Sequence, residues 1–296
     1  MKQALTNPWI SSCRGSLVAI LILCSHSVLP ISALERIRGH LVIIGGGEVP
    51  QSVLKEFVHL AGGTDNARIM VIPNASAEPD VSGKTQAETF RAIGAQDVRV
   101  LLVRREEADR QEILSALDRA TGIYFTGGDQ SRLATNLVGT AVQQKLLQLY
   151  QSGGVIGGTS AGAAIMSKVM ITGEQRLHPD AKDGFTTIEH GNVVTREGLG
   201  FITSAIIDQH FVARKRQNRL ISLLLENPAL LGVGIDERTA VIVRPDGKFD
   251  VIGEGTVMIL DARAATNVRV AANGNLAGRN VITHLLTSGD QFDPAK

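Results

Sequence analysis

Gly157-Gly158-Thr159-Ser160-Ala161-Gly162 follows the apolar, strand-like run Gly154 to Ile156 and opens into the helix-like Ala163-Ala164-Ile165-Met166. The stretch contains G-x-S-x-G. A serine on a tight strand-to-helix turn stands out above the edge of a sheet, and its neighbours are small because the backbone is strained and a substrate carbonyl must come close. A helix N-terminus behind the serine offers free N–H groups and a positive dipole end, both of which stabilise an oxyanion. Such a unit belongs to α/β architecture and suits acyl transfer. A glycine-rich turn with a helix-capping serine is the competing reading, so the surroundings decide.

Outward from this turn, apolar and β-branched runs recur at His40 to Ile44, Arg68 to Pro73, Val98 to Val103 and Gly122 to Phe125. They alternate with amphipathic segments such as Val53 to Leu60 and Ala141 to Tyr150. Continuous apolar strands separated by helices predict a mostly parallel sheet with helices on both faces, a three-layer α/β/α domain. In such folds ligands sit beyond the carboxyl ends of the strands. There the chain places Gly45-Gly46-Gly47, Asn74-Ala75-Ser76, Thr126-Gly127-Gly128-Asp129 and Gly157-Gly158. The first of these lacks a G-x-G-x-x-G continuation and reads as a tight turn, not a dinucleotide site. From Ala205 onward short strands dominate: Ile206 to Asp208, Gly232 to Ile235, Ala240 to Arg244, Phe249 to Ile252 and Thr256 to Leu260, with a hairpin turn at Pro245-Asp246-Gly247-Lys248.

The chain has 296 residues, 44% of them hydrophobic, enough for one large domain, read here as residues 34–296. Residues 1–33 differ from the rest. Lys2 and Arg14 are their only charges, Ser16 to Leu23 is an apolar core, and Ile31-Ser32-Ala33 ends in a small residue, the pattern of a secretory leader cut near Ala33. The apolar run is shorter than the ~20 residues that span a bilayer, and bulky Leu23 disfavours lipid attachment at Cys24. A secreted or periplasmic chain free of the membrane follows. Both cysteines, Cys13 and Cys24, lie in the leader, so the remainder has no disulfide, thiolate ligand or cysteine nucleophile. Without Lys2 and Arg14 it carries 28 cations against 29 acids, which removes any global electrostatic case for nucleic acid.

A serine nucleophile needs a base. Among His40, His59, His178, His190, His210 and His284, only His210 would emerge at a strand end, after Ala205-Ile206-Ile207-Asp208-Gln209. The carboxylate should come from another strand end, and Gly234-Ile235-Asp236-Glu237 supplies two adjacent acids. A rival triad in α/β-hydrolase order would use Ser160, Asp236 or Asp261, and His284, but His284 falls within the strand-like run Val281 to Leu286. The histidines show no H-E-x-x-H spacing, and no metal or cofactor is called for.

After His210 come Arg214, Lys215, Arg216 and Arg219, with no acid between Asp208 and Glu226. A solvated basic face would explain them. Arginines beside a catalytic histidine also suit bidentate capture of a carboxylate, which points to an acidic or carboxylate-bearing substrate.

Four motifs in order carry a resemblance: Thr126-Gly127-Gly128-Asp129-Gln130; Gly157 to Ala163; Asp208-Gln209-His210-Phe211 with Arg214, Arg216 and Arg219; and Gly234-Ile235-Asp236-Glu237-Arg238-Thr239-Ala240. Together, across roughly Leu41 to Leu286, they resemble the serine peptidase family that contains cyanophycinases and aspartyl dipeptidase. The resemblance implies a class I glutamine-amidotransferase-like sheet with serine in place of that superfamily's cysteine, and additional C-terminal strands. It implies hydrolysis of cyanophycin, a poly-aspartate with arginine on each β-carboxyl, to β-Asp-Arg dipeptides. By position it makes Ser160 the nucleophile, His210 the base and Glu237 the orienting acid, with Gly128 and Ala161 at the oxyanion. Gln130, Asp208, Gln209, Arg214, Arg216 and Arg219 would line the substrate cleft. It also implies a homodimer. Two features depart from it: the leader, unlike the cytoplasmic cyanobacterial enzymes, and the loop His178-Pro179-Asp180-Ala181-Lys182-Asp183, which leaves substrate preference open. An aspartyl dipeptidase acting on aspartyl peptides, and a non-catalytic binding protein on a peptidase scaffold, are the alternatives.

Overall fold

The computed structural model describes residues 37–181 and 184–296. The leader expected over residues 1–33, and Lys182 and Asp183 of the unaligned loop, lie outside the described residues.

The first half of the chain alternates strictly. It runs β1 (His40–Ile44), α1 (Gln51–Leu60), α2 (Gly63–Asn66), β2 (Arg68–Ile72), α3 (Pro79–Ala92), β3 (Asp97–Val100), α4 (Gln111–Leu117), β4 (Gly122–Phe125), α5 (Gln130–Leu137), α6 (Ala141–Gln151), β5 (Val155–Thr159) and the single turn α7 (Ala161–Ala164). Then follow β6 (Val169–Gln175), β7 (Val193–Glu197), β8 (Ala205–Gln209), α8 (Gln217–Glu226), β9 (Leu231–Ile235), β10 (Thr239–Val243), β11 (Phe249–Gly253), β12 (Val257–Asp261), β13 (Thr266–Val270), β14 (Leu276–Arg279), β15 (Ile282–Leu286) and β16 (Gln291–Phe292).

The main sheet has eight strands in the order β16-β11-β10-β1-β5-β4-β2-β3. Its β1-β5-β4-β2-β3 half is parallel, and β10, β11 and β16 add an antiparallel edge. The mostly parallel sheet predicted from the apolar runs is therefore present. Residues on β1 divide between two cores. Val42 and Ile44 pack with Phe57 of α1 and Phe90 of α3, where the Tyr124 ring stands edge-on to both, 5.5 and 5.0 Å between centroids. Such pairs add roughly 0.5–1.5 kcal/mol beyond the area they bury. Leu41 and Ile43 face the opposite core with Leu133 of α5 and Leu146 of α6.

The later strands do more than extend this sheet. β15-β12-β9-β8 form a second, four-stranded sheet, whose Ile207, Val233, Ile235 and Ile259 enter the same core as Leu41 and Ile43. Its other face, with Ile206 and Leu260, is covered by Leu220, Leu223 and Leu224 of α8. The two sheets meet at the short turn between β9 and β10, Asp236 to Arg238. Register aligns the working ends: Ile44 lies opposite Thr159 and Phe125 opposite Gly158 in one sheet, and Gln209 opposite Ile235 in the other. The loops that follow these residues thus leave at one level.

Candidate active site

Ser160 terminates β5 with φ 53° and ψ −112°, a backbone costly for a side-chain-bearing residue and typical of a functional constraint. α7 behind it supplies the turn, with the N–H groups of Ala163 and Ala164 satisfied by the Ser160 carbonyl. The hydroxyl lies 2.9 Å from His210 Nε2, and His210 Nδ1 lies 2.6 Å from Glu237 Oε1. With Nδ1–H donating to the carboxylate, Nε2 is left as the acceptor for the serine proton, the tautomer that the network selects. Three residues separated by 50 and 27 positions are thereby in line. The imidazole is 7% exposed at its side chain and the carboxylate 37%. Burial is the main influence on His210 and lowers its pKa below the ordinary 6.5. The Glu237 hydrogen bond raises it, and Arg214 and Arg216 push it down again. A neutral, base-competent imidazole at neutral pH is the result.

Asp236 and Glu237 divide their work. Asp236 Oδ1 accepts from the N–H of Val212 and of Ala213, at 3.2 and 2.9 Å, and so ties down the loop after His210. Glu237 alone faces the imidazole. The rival triad does not assemble: His284 lies in β15 opposite Ile259 with its ring against Phe292, 5.0 Å between centroids, and Asp261 is bonded to Arg263.

The Gly127–Gly128 turn adjoins the nucleophile; a Cβ on Gly127 would stand 3.5 Å from Ser160 Cβ. Gly128 takes φ 140°, with its Cα turned onto the Ala75 carbonyl. Among the described residues neither the N–H of Gly128 nor that of Ala161 donates to a protein acceptor. Both remain free for a developing oxyanion.

The residues expected to line a cleft separate into two groups. Arg214 is exposed beside His210, and Arg216 is 16% exposed at its side chain, donating through one nitrogen to the Gln209 carbonyl at 2.6 Å and to Gln209 Oε1. Burial and the neighbouring Arg219 push the Arg216 pKa down to about 10, which leaves it cationic at neutral pH. Asp208 and Arg219 do not line a cleft. Both are buried and joined by a two-pronged ion pair, with Asp208 also accepting the Gln209 N–H. The helical spacing that turned Leu220 and Leu223 inward turns Arg219 inward as well, and a guanidinium that enters an interior must find a carboxylate there. Gln130 is likewise buried; its amide donates to the carbonyls of Ile171 and Thr172 and fastens the β6–β7 hairpin to α5. Phe185, in the loop between those strands, lies under the Arg219 guanidinium at 5.6 Å.

Sequence reading missed one participant. The Gly45-Gly46-Gly47 turn packs directly on His210 and Glu237, a role that its composition, shared by any tight turn, does not announce.

The pattern of Peptidase family S51 matches residues 41–252. The chain is 38% identical to a cyanophycinase of Geminocystis herdmanii over 88% of this chain and 95% of that protein, and 39% identical to one of Synechococcus elongatus over 86% and 79%. Among solved structures it is similar to a peptidase from an acI-B1 Actinobacterium, with TM-score 0.65 and 25% identity over 87% of this chain and 98% of that one. A match that runs from the first strand of the main sheet to its antiparallel edge, through every loop that feeds the triad, leaves one assignment: this chain belongs to peptidase family S51 and is a serine-type peptidase.

Proposed function

We propose that this peptidase is a cyanophycinase, exported by its N-terminal segment, that cuts the poly-aspartate backbone of cyanophycin and releases β-Asp-Arg dipeptides. The observation that carries the reading is the in-line Ser160, His210 and Glu237 in a chain of this similarity to cyanophycinases. Ser160 attacks the α-peptide carbonyl between backbone aspartates while His210 Nε2 takes its proton. The N–H groups of Gly128 and Ala161 hold the oxyanion, and loss of such a donor costs about 10²–10³ in rate. The imidazolium, held by Glu237, then protonates the leaving amine. Water deprotonated by the same histidine releases the acyl group and restores the serine. Arg214 and the free edge of Arg216 supply the cations for substrate carboxylates, a role withdrawn from Arg219.

The experiment incubates the protein, and a Ser160→Ala variant, with insoluble cyanophycin and with Asp-Leu, and identifies products by mass spectrometry. β-Asp-Arg from the polymer supports the reading. Cleavage of Asp-Leu alone would make the enzyme an aspartyl dipeptidase, and free arginine as first product would place attack on the isopeptide bond instead. Export is tested by N-terminal sequencing of the protein from fractionated cells; an N-terminus near Leu34 outside the cytoplasm is expected.

A further inference from the structure

The end of β1 and the glycine loop that follows it, residues 44–47, are bonded to all three segments that carry the triad. The Ser160 N–H donates to the Ile44 carbonyl at 3.0 Å, the His210 N–H to the Gly45 carbonyl at 2.8 Å, and the N–H of Arg238, next to Glu237, to the Gly46 carbonyl at 2.9 Å. Three successive carbonyls therefore receive donors from three separate strand ends. Each donor residue also has positive φ: 53°, 48° and 60°. Such backbones cost about 1–3 kcal/mol each and persist where the surroundings over-determine them. For all three the shared surrounding is this one stretch, residues 44–47.

The side chains meet the loop closely too. A Cβ on Gly46 would overlap His210 Cε1 and lie 2.5 Å from Nε2. A Cβ on Gly47 would lie 2.9 Å from Glu237 Cβ and 3.1 Å from Oε2. Only bare backbone fits under the imidazole and the carboxylate.

We infer that residues 44–47 are the template on which the triad is assembled, with Gly46 the positioning residue for the His210 ring and Gly47 for the Glu237 carboxylate. The inference rests on the reading of Ser160 as nucleophile. The two glycines govern different bonds. A methyl at Gly46 drives the ring away from Ser160. A methyl at Gly47 shifts the carboxylate from Nδ1. The charged groups that face the ring are Glu237, Arg214 and Arg216. Since the Glu237 bond raises the His210 pKa, weakening it moves the acid limb of His210-dependent chemistry to lower pH.

The test measures the rate at which a fluorophosphonate probe labels Ser160, across pH, in the full protein and in Gly46→Ala, Gly47→Ala and Gly153→Ala. Gly153 has nearly the same backbone angle as Gly46, φ 112° against 111°, and a Cβ there meets only Arg38 Cβ at 3.9 Å. It reports the strain of alanine at that φ without contact to the triad. Expected are a loss of at least about 100-fold in Gly46→Ala, the usual worth of a general base, a smaller loss with a lowered acid limb in Gly47→Ala, and a near-wild-type rate in Gly153→Ala. Should Gly46→Ala not fold, the limb shift in Gly47→Ala decides. Equal losses in Gly46→Ala and Gly153→Ala, or a wild-type rate and pH profile in Gly47→Ala, would overturn the template. An unlabelled wild-type protein would instead overturn the nucleophile assignment beneath it.

Discussion

Arg219 donates through Nε to Asp208 Oδ2 at 2.7 Å from a side chain only 4% exposed, against a carboxylate wholly enclosed. Truncation to Arg219→Ala removes both prongs and leaves that carboxylate only the Gln209 N–H and Arg216 Nη1 at 3.7 Å, so the loss should lie somewhat below the roughly 3–5 kcal/mol of a buried ion pair broken outright. The denaturation midpoint is expected to fall accordingly. Arg219→Lys keeps the charge but not the two-pronged geometry and should fall between. Arg214→Ala, at an exposed side chain, should leave the midpoint near wild type while kcat/KM on the polymer drops.

Ser160→Ala removes the hydroxyl from a turn already formed by backbone bonds. Folding should survive and peptide hydrolysis fall by several orders of magnitude, with residual rate from binding and the oxyanion donors. Circular dichroism and turnover of the purified variant check both halves.

The pH profile follows from the burial of His210. The base form is the neutral ring, so kcat/KM is lost as pH falls through the His210 pKa, and the acid limb should be centred below 6.5. Arg214 opposes protonation of the ring. Its removal in Arg214→Ala raises that pKa and moves the limb to higher pH, and added salt should do the same by screening. A limb unmoved by either would show that Arg214 does not act on the histidine.

The two adjacent acids should separate cleanly. Glu237→Gln removes the charge that holds the imidazolium and is expected to cost at least about 100-fold in kcat. Asp236→Asn retains an oxygen for the Val212 and Ala213 N–H groups and should cost far less. His284→Ala, whose ring packs on Phe292 away from Ser160, should keep full turnover.

Most of the parallel strands are legible as continuous apolar runs, while β3, with Asp97 and Arg99 in it and only Val98 buried, alternates instead. Ser160 and His210 are legible because each follows such a run, whereas the strand end at Ile235 offers Asp236 and Glu237 alike and only the family resemblance chooses between them. β6 and β7 are not legible: Thr172-Gly173-Glu174-Gln175 and Val194-Thr195-Arg196-Glu197 are partly exposed and polar, so a half-covered hairpin leaves no clear period. β13 is exposed throughout and reads as loop. The arginine cluster was misread at Arg219 because its partner is Asp208, the very residue that bounded the acid-free stretch, and a pair folded back across eleven positions shows no local sign. The glycine loop failed for the opposite reason, since its use depends on ring atoms more than 160 residues away in sequence.

The placement of the catalytic groups on different sheets has a thermal consequence. Ser160 belongs to the eight-stranded sheet, His210 to the four-stranded one, and Glu237 to the turn that passes between them. The serine–imidazole bond thus lies on a seam between the sheets, and a sub-global opening there would break it, together with the His210 N–H bond to the Gly45 carbonyl, while each sheet keeps its internal ladder. Heating should therefore silence the enzyme before its secondary structure melts, with activity returning on cooling as the seam closes.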